Sequence, residues 1–196
     1  MRDERELVAR LRAGDERAVI DVVERYQGPM MRLATAYVPS QSVAEEVVQD
    51  TWLGMLRGLD RFQERSSLKT WLFTILVNRA RTTGQRERRA TPLGDTEPSI
   101  DRNRFADDGH WSQPPVPWTD EIDDQLAAAA TMKFVRAAID ELPDGQREVV
   151  LLRDVEGLSG PEVCEVLGLT EANQRVLLHR GRSHIRQALE TMVGMA

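Results

Sequence analysis

The stretch from Leu158 to Leu189 constrains this chain most, because it reads as two helices joined by a turn too tight for much else. Ser159 stands three residues before Glu162, the spacing of a capping box, and Pro161 falls in the first turn, where a missing N–H costs little. Val163 and Leu167 share one face. Gly168 follows, and glycine readily takes the left-handed conformation that closes helices. Thr170 can cap the second helix. Leu178, Gly181, Ile185 and Leu189 run down one side of it at helical spacing. Its other side carries Arg175, Arg180, Arg182 and Arg186. A short apolar helix, a glycine turn and a longer basic helix suit a helix-turn-helix whose second helix enters the major groove of DNA. An ordinary helical hairpin fits the same pattern.

Charge separates these two readings only in part. The chain of 196 residues has a net charge of −6, which argues against a protein that grips phosphates over its whole surface. The excess acid is local: residues 91–131 alone carry −7 and the remainder sums to +1. That middle segment also holds Pro92, Pro98, Pro114, Pro115 and Pro117, lacks helical periodicity, and reads as a linker. Phe105, Trp111 and Trp118 lie within it. They are consistent with a surface-docking extended piece and equally with incidental aromatics on a tether.

Before the linker, apolar periodicity predicts helices throughout. Glu4–Ala13 turns Leu7, Val8 and Leu11 inward and stops at Gly14. The next helical stretch begins at Asp15, with Val19, Val22, Val23, Tyr26, Met30, Leu33 and Tyr37 on one side; Gly28-Pro29 should kink or break it. Ser42 and Glu45 have capping-box spacing ahead of a helix that ends near Leu59. A loop, Asp60–Ser66, leads to Ser67 as the cap of the next helix. That helix begins apolar (Leu68, Trp71, Leu72, Ile75, Leu76) and ends with five arginines in eleven positions, Arg79, Arg81, Arg86, Arg88 and Arg89. Trp71 shares the stripe of Leu68 and Ile75, which favours a core position. After the linker, one helix carries Phe134, Val135, Ala138, Ile139 and Leu142. The next, Asp144–Val155, turns Val149, Leu152 and Val155 inward. No strand pattern appears.

The fold class is therefore all-α, with two small helical domains: residues 1–90, the linker 91–131, and residues 132–196. The single cysteine, Cys164, forms no internal disulfide, and His110, His179 and His184 have no ligand spacing, so neither a metal nor a cofactor is expected. No Gly-rich phosphate loop or Ser/Cys–His arrangement points to catalysis. The charged start MRDERE lacks a signal-peptide core, and no run approaches the ~20 apolar residues of a membrane span, so a cytoplasmic location is expected.

Three segments in this order, AEEVVQDTWLGMLRGLDRF, SLKTWLFTILVNRARTTGQRERR and LPDGQREVVLLRDVEGLSGPEVCEVLGLT, resemble the bacterial extracytoplasmic-function (ECF) sigma factors of the sigma-70 type. The resemblance implies that residues 1–90 are sigma domain 2 and residues 132–196 the helix-turn-helix sigma domain 4. It implies an alternative sigma factor that binds core RNA polymerase through the largest-subunit coiled coil and the flap region, reads promoter −10 and −35 elements and aids DNA opening. An anti-sigma factor as regulator is a further family expectation. Carried residue by residue, it assigns Glu45, Glu46, Gln49, Asp50, Trp52 and Met55 to polymerase binding. Without it, Glu45 and Glu46 read as a solvated face and Trp52 as core. It assigns Phe62, Gln63, Ser66, Ser67, Lys69, Asn78, Arg79, Arg81 and Arg86 to the −10 strand, and Asn173, Gln174, Arg175, His179, Arg180 and Arg182 to the −35 duplex. The run Ala172–Leu177 departs from the family, keeping one basic residue where many members have two. The rival is a two-domain helix-turn-helix regulator that does not replace a sigma factor.

Overall fold

Helix α4 (Leu68–Ala90) packs against helices of both the first and the second half of the chain. The computed structural model describes residues 2–90 and 125–194. Before α4 come α1 (Arg2–Arg12), α2 (Glu16–Thr35), α3 (Gln41–Gly58) and a single 3₁₀ turn, Leu59–Arg61. After it come α5 (Gln125–Asp140), α6 (Asp144–Val150) with a π-helical extension Leu151–Val155, α7 (Gly160–Leu167) and α8 (Glu171–Gly194). All regular structure among the described residues is helical. None of the described helices is long and apolar enough to cross a membrane.

Local chemistry sets most of the boundaries. Asp15 caps α2 by accepting from the N–H groups of Arg17 and Ala18. Ser67 Oγ accepts from Thr70 N at 3.1 Å, capping α4 as its sequence position predicts. The α7 capping box forms between Ser159 and Glu162, Gly168 closes that helix at φ 67°, and Asn173 N donates to Thr170 Oγ1 at 3.3 Å to start α8.

Four expectations are corrected. Helix α2 runs unbroken through Pro29. An interior proline costs about 3 kcal/mol, but Tyr26, Met30 and Leu33 are buried around it, and burying each such side chain contributes about 1.5–3 kcal/mol. The α3 cap is Ser40, whose Oγ accepts from Val43 N; Ser42 instead bonds Ser40, and Glu45 accepts from Gln41. Val155 is 43% exposed. The π turn inserts an extra residue, seen in the bond from Glu156 N to Leu151 O, and moves Val155 out of the stripe that Val149 and Leu152 occupy. Helix α5 begins at Gln125, so the last seven residues assigned to the linker are helical. Residues 91–124, with Phe105, Trp111 and Trp118, lie outside the described residues.

The two halves share one core. Leu68, Leu72, Phe73, Leu76, Val77 and Ala80 of α4 belong to the same buried cluster as Val22, Met30 and Leu33 of α2, Val47 and Met55 of α3, and Val163, Val166 and Leu167 of α7. A second cluster, Ile139, Leu142 and Val150, holds α5, α6 and α8 together. Two glycines mark close approaches. A Cβ on Gly84 would lie 2.3 Å from the Tyr37 carbonyl oxygen, and one on Gly181 would lie 2.6 Å from Val150 Cγ2. Backbone cannot retreat as a methyl can. Gly84→Ala should therefore destabilise the fold by about 1–3 kcal/mol, and more than Gly181→Ala does; urea denaturation of the two variants checks the order.

Candidate nucleic-acid interface

The loop before α4 is held from behind by α1. Arg12 donates from Nη1 to Glu64 Oε1 at 2.9 Å, from Nε to Leu59 O at 3.3 Å, and from Nη2 to Phe62 O. Glu64 sits at φ 55°, a strained value for a residue with a side chain, and the Arg12 clamp stabilises that turn. Glu4 Oε1 accepts from Leu68 N at 2.5 Å. Between α1 and the loop lies a cavity of about 270 Å³ lined by Glu4, Val8, Phe62, Arg65, Ser66 and Ser67, among others. Phe62 is buried and stacks on Trp71, centroids 4.6 Å apart. Its ring anchors the loop here, while Gln63 is exposed. Arg12 and Glu4 carry no sequence signal for this role, because their partners lie about fifty and more residues away.

Along α4 the polar groups meet acids of the second half. Ser67 Oγ and Thr70 Oγ1 both reach Glu162 Oε1, at 3.2 and 2.8 Å. Lys69 donates to the Glu156 carbonyl and lies 3.8 Å from its carboxylate, which also pairs with Arg32 of α2 at 2.8 Å. Arg81 donates to Glu148 Oε2 at 2.8 Å and to Leu167 O at 3.2 Å. Beside them Tyr37 is buried next to Glu148 and Arg81; burial and the adjacent Glu148 carboxylate push its pKa far up. Asn78 and Arg86 are exposed, and Arg79 pairs with Asp50 of α3 at 3.3 Å.

The α3 surface presents Glu45, Glu46, Gln49 and Asp50 exposed, next to Leu53 and Leu56, which are about half exposed at 46% and 51%. Leu53 and Leu56 escaped the sequence reading, since they fall off the buried stripe. Trp52 is half-buried and donates to Gln27 Oε1 at 2.7 Å. Met55, assigned by resemblance to polymerase binding, is 1% exposed, on the inward stripe with Val47, Val48 and Thr51.

On α8, Asn173, Arg175, His179 and Arg180 are exposed, and Arg175 pairs with Glu171 at 2.9 Å. Gln174, assigned by resemblance to the −35 duplex, is 4% exposed and turned toward Gly160, and its Nε2 has no partner among the described residues. Arg182 is held in a two-pronged pair with Asp154 (2.9 and 2.6 Å), which raises its pKa further.

This layout coincides with two family models, Sigma-70 region 2 over residues 22–90 and Sigma-70 region 4 over residues 135–185. The chain belongs to the sigma-70 family of RNA polymerase sigma factors, in its extracytoplasmic-function group. It is 29% identical to the ECF RNA polymerase sigma-E factor of Escherichia coli (strain K12) over 187 residues, 95% of this chain and 94% of that protein. The sigma-E factor of Haemophilus influenzae is 27% identical, with 95% of each chain covered. Among solved structures, CnrH in complex with the cytosolic domain of CnrY matches with a TM-score of 0.62 at 23% identity, covering 96% of this chain and 97% of that one. The sigma factor RpoE in complex with the anti-sigma factor NepR from Bartonella quintana matches at 0.58 and 19%, covering 87% and 97%.

Glu162 gives this arrangement an acid limit. Burial pushes its carboxyl up, but hydrogen bonds from Ser159, Thr70 and Ser67 outweigh this and hold it below the ordinary 4.5. As pH falls, the unfolded chain takes up this proton before the folded one does. The contribution is thus complete above about pH 4.5 and is lost as pH falls through the lowered folded value. Glu162→Gln should flatten the decline in stability as pH falls below about 4.5, measured by urea denaturation; an unchanged acid limb would show that the contact carries no net weight.

Proposed function

We propose that this protein is an alternative sigma factor that brings core RNA polymerase to a specific set of promoters. The family is one of non-catalytic transcription factors. The observation that carries the reading is the presence, in order on one chain, of a region 2 match and a region 4 match. A regulator that only binds duplex DNA would use the second and have no use for the first.

In this reading the domain 2 unit is residues 1–90 and the domain 4 unit begins near residue 132. The α3 face, with Glu45, Glu46, Gln49, Asp50 and the edge of Trp52, takes the coiled coil of the polymerase largest subunit. An acidic-polar face beside exposed leucines suits a basic amphipathic helix. The loop and α4 take the −10 strand. Unstacked bases need a pocket and a basic track, and Gln63, Ser66, Ser67, Lys69, Asn78, Arg79, Arg81 and Arg86 supply polar groups in that order. Helix α8 takes the −35 duplex through Asn173, Arg175, His179 and Arg180, with Arg182 oriented by Asp154, while the flap region docks on domain 4. An anti-sigma factor that covers these faces is the regulator; both matched solved structures are complexes, one of them with a named anti-sigma factor.

Transcription by core polymerase plus this protein on a genomic library tests the reading and yields the promoter together. No transcript beyond that of core alone sinks it. Arg81→Ala combined with Arg86→Ala should lower open-complex formation by about tenfold or more, measured by permanganate reactivity, while polymerase binding in a pull-down stays unchanged. Equal loss of both would contradict the assignment of α4 to the −10 strand.

A further inference from the structure

Helix α1 forms the back of the loop that precedes α4. Glu4, Val8 and Arg12 follow one another at helical spacing on one face of α1, and each meets the loop or its cavity. Arg12 holds the start of the loop. Its Nε and Nη2 donate to the carbonyls of Leu59 and Phe62, and its Nη1 donates to Glu64. Glu4 holds the end, accepting from Leu68 N at 2.5 Å. The two grips lie about 12 Å apart along the helix axis, and buried Val8 closes the wall between them. The turn so gripped contains Glu64 at φ 55°, a conformation that residues with side chains rarely adopt. Three residues that the resemblance assigns to the −10 strand, Phe62, Ser66 and Ser67, line one cavity with Glu4 and Val8. Half of that cavity is therefore built by a helix to which no part in promoter reading was assigned.

We propose that Arg12 is a positioning residue for promoter reading: by fixing the turn from Leu59 to Glu64 it holds Phe62, Ser66 and Ser67 in one arrangement around this cavity, and so sets how sharply one base of the −10 strand is told from the other three. A rigid site discriminates because a wrong base leaves its polar groups unpaired, whereas a loop free to adjust pairs them again. Removing the guanidinium lowers the fraction of chains whose loop is in the reading arrangement, which weakens the fitting base most. Bases that meet Asn78 to Arg86 of α4 do not depend on this turn. Arg12 acts through the loop and touches no DNA in this role. The inference rests on the sigma-factor reading above.

The test uses the full-length protein with core polymerase and a promoter recovered from the genomic library, remade with each −10 position changed in turn to the other three bases. The rate of open-complex formation on each template, divided by that on the unchanged promoter, gives a base preference at every position. The ratio cancels any loss of folded protein, so a merely structural role would not move it. Arg12→Ala should lower the preference at one position by about tenfold and leave the others within about twofold. Arg12→Lys keeps a cation for Glu64 but cannot fork to both carbonyls, and should lower the same preference by about threefold. It keeps the test open if Arg12→Ala fails to fold by circular dichroism. Glu64→Gly should retain the preference, because glycine takes φ 55° without strain and Arg12 keeps both carbonyls. The proposal is overturned by an equal fall at all positions, by no change in the folded Arg12 variants, or by a loss in Glu64→Gly that matches the loss in Arg12→Ala. No transcript from the unaltered protein with core polymerase defeats the sigma reading; transcription whose base preferences survive the Arg12 substitutions defeats the role of Arg12 alone.

Discussion

Burial of the first half of α4 is the constraint on which the structure depends. Leu72, Phe73, Leu76 and Val77 are each fully enclosed where α2, α3 and α7 pack on α4. A helix enclosed in this way cannot turn about its axis without exposing apolar surface, which costs about 25 cal/mol per Å². The Gly84–Tyr37 approach fixes its remaining freedom, that of lateral shift. The polar edge of α4 is therefore presented at a fixed angle, and whatever meets Lys69 and Arg81 must come to them.

What meets them here is carboxylate, and the choice of residue matters. Glu156 is 4% exposed at its side chain yet is shared by Arg32 and Lys69, so its charge is matched by two cations. Glu148 and Arg81 are each partly open to solvent. Pairs of this kind contribute modestly and are sensitive to competition from other ions. The apolar seal of α7 supplies cohesion, and the ion pairs supply register.

The features legible in the sequence are those whose cause is local. The Ser159–Glu162 box, the Gly168 stop, and the Thr170 and Ser67 caps each depend on residues within four positions, and each forms. Helix content and the inward stripes follow from periodicity in the same way. Where a local rule failed, a neighbour had displaced it: Ser40 took the cap expected of Ser42, and the π turn shifted the phase before Val155. The candidate site was legible as a family pattern but not as a surface. Met55 and Gln174 have suitable chemistry and lie inside, because burial is set by packing partners far along the chain. The Arg12 clamp and the three acids on α4 were invisible for the same reason; their partners are 47 to 95 residues distant.

Glu162 divides its labour between its two oxygens. Oε2 accepts from the backbone and hydroxyl of Ser159 and completes the start of α7, while Oε1 accepts from Ser67 and Thr70 across the chain. The two tasks use separate atoms, so the start of α7 and its contact with α4 do not compete for the same oxygen.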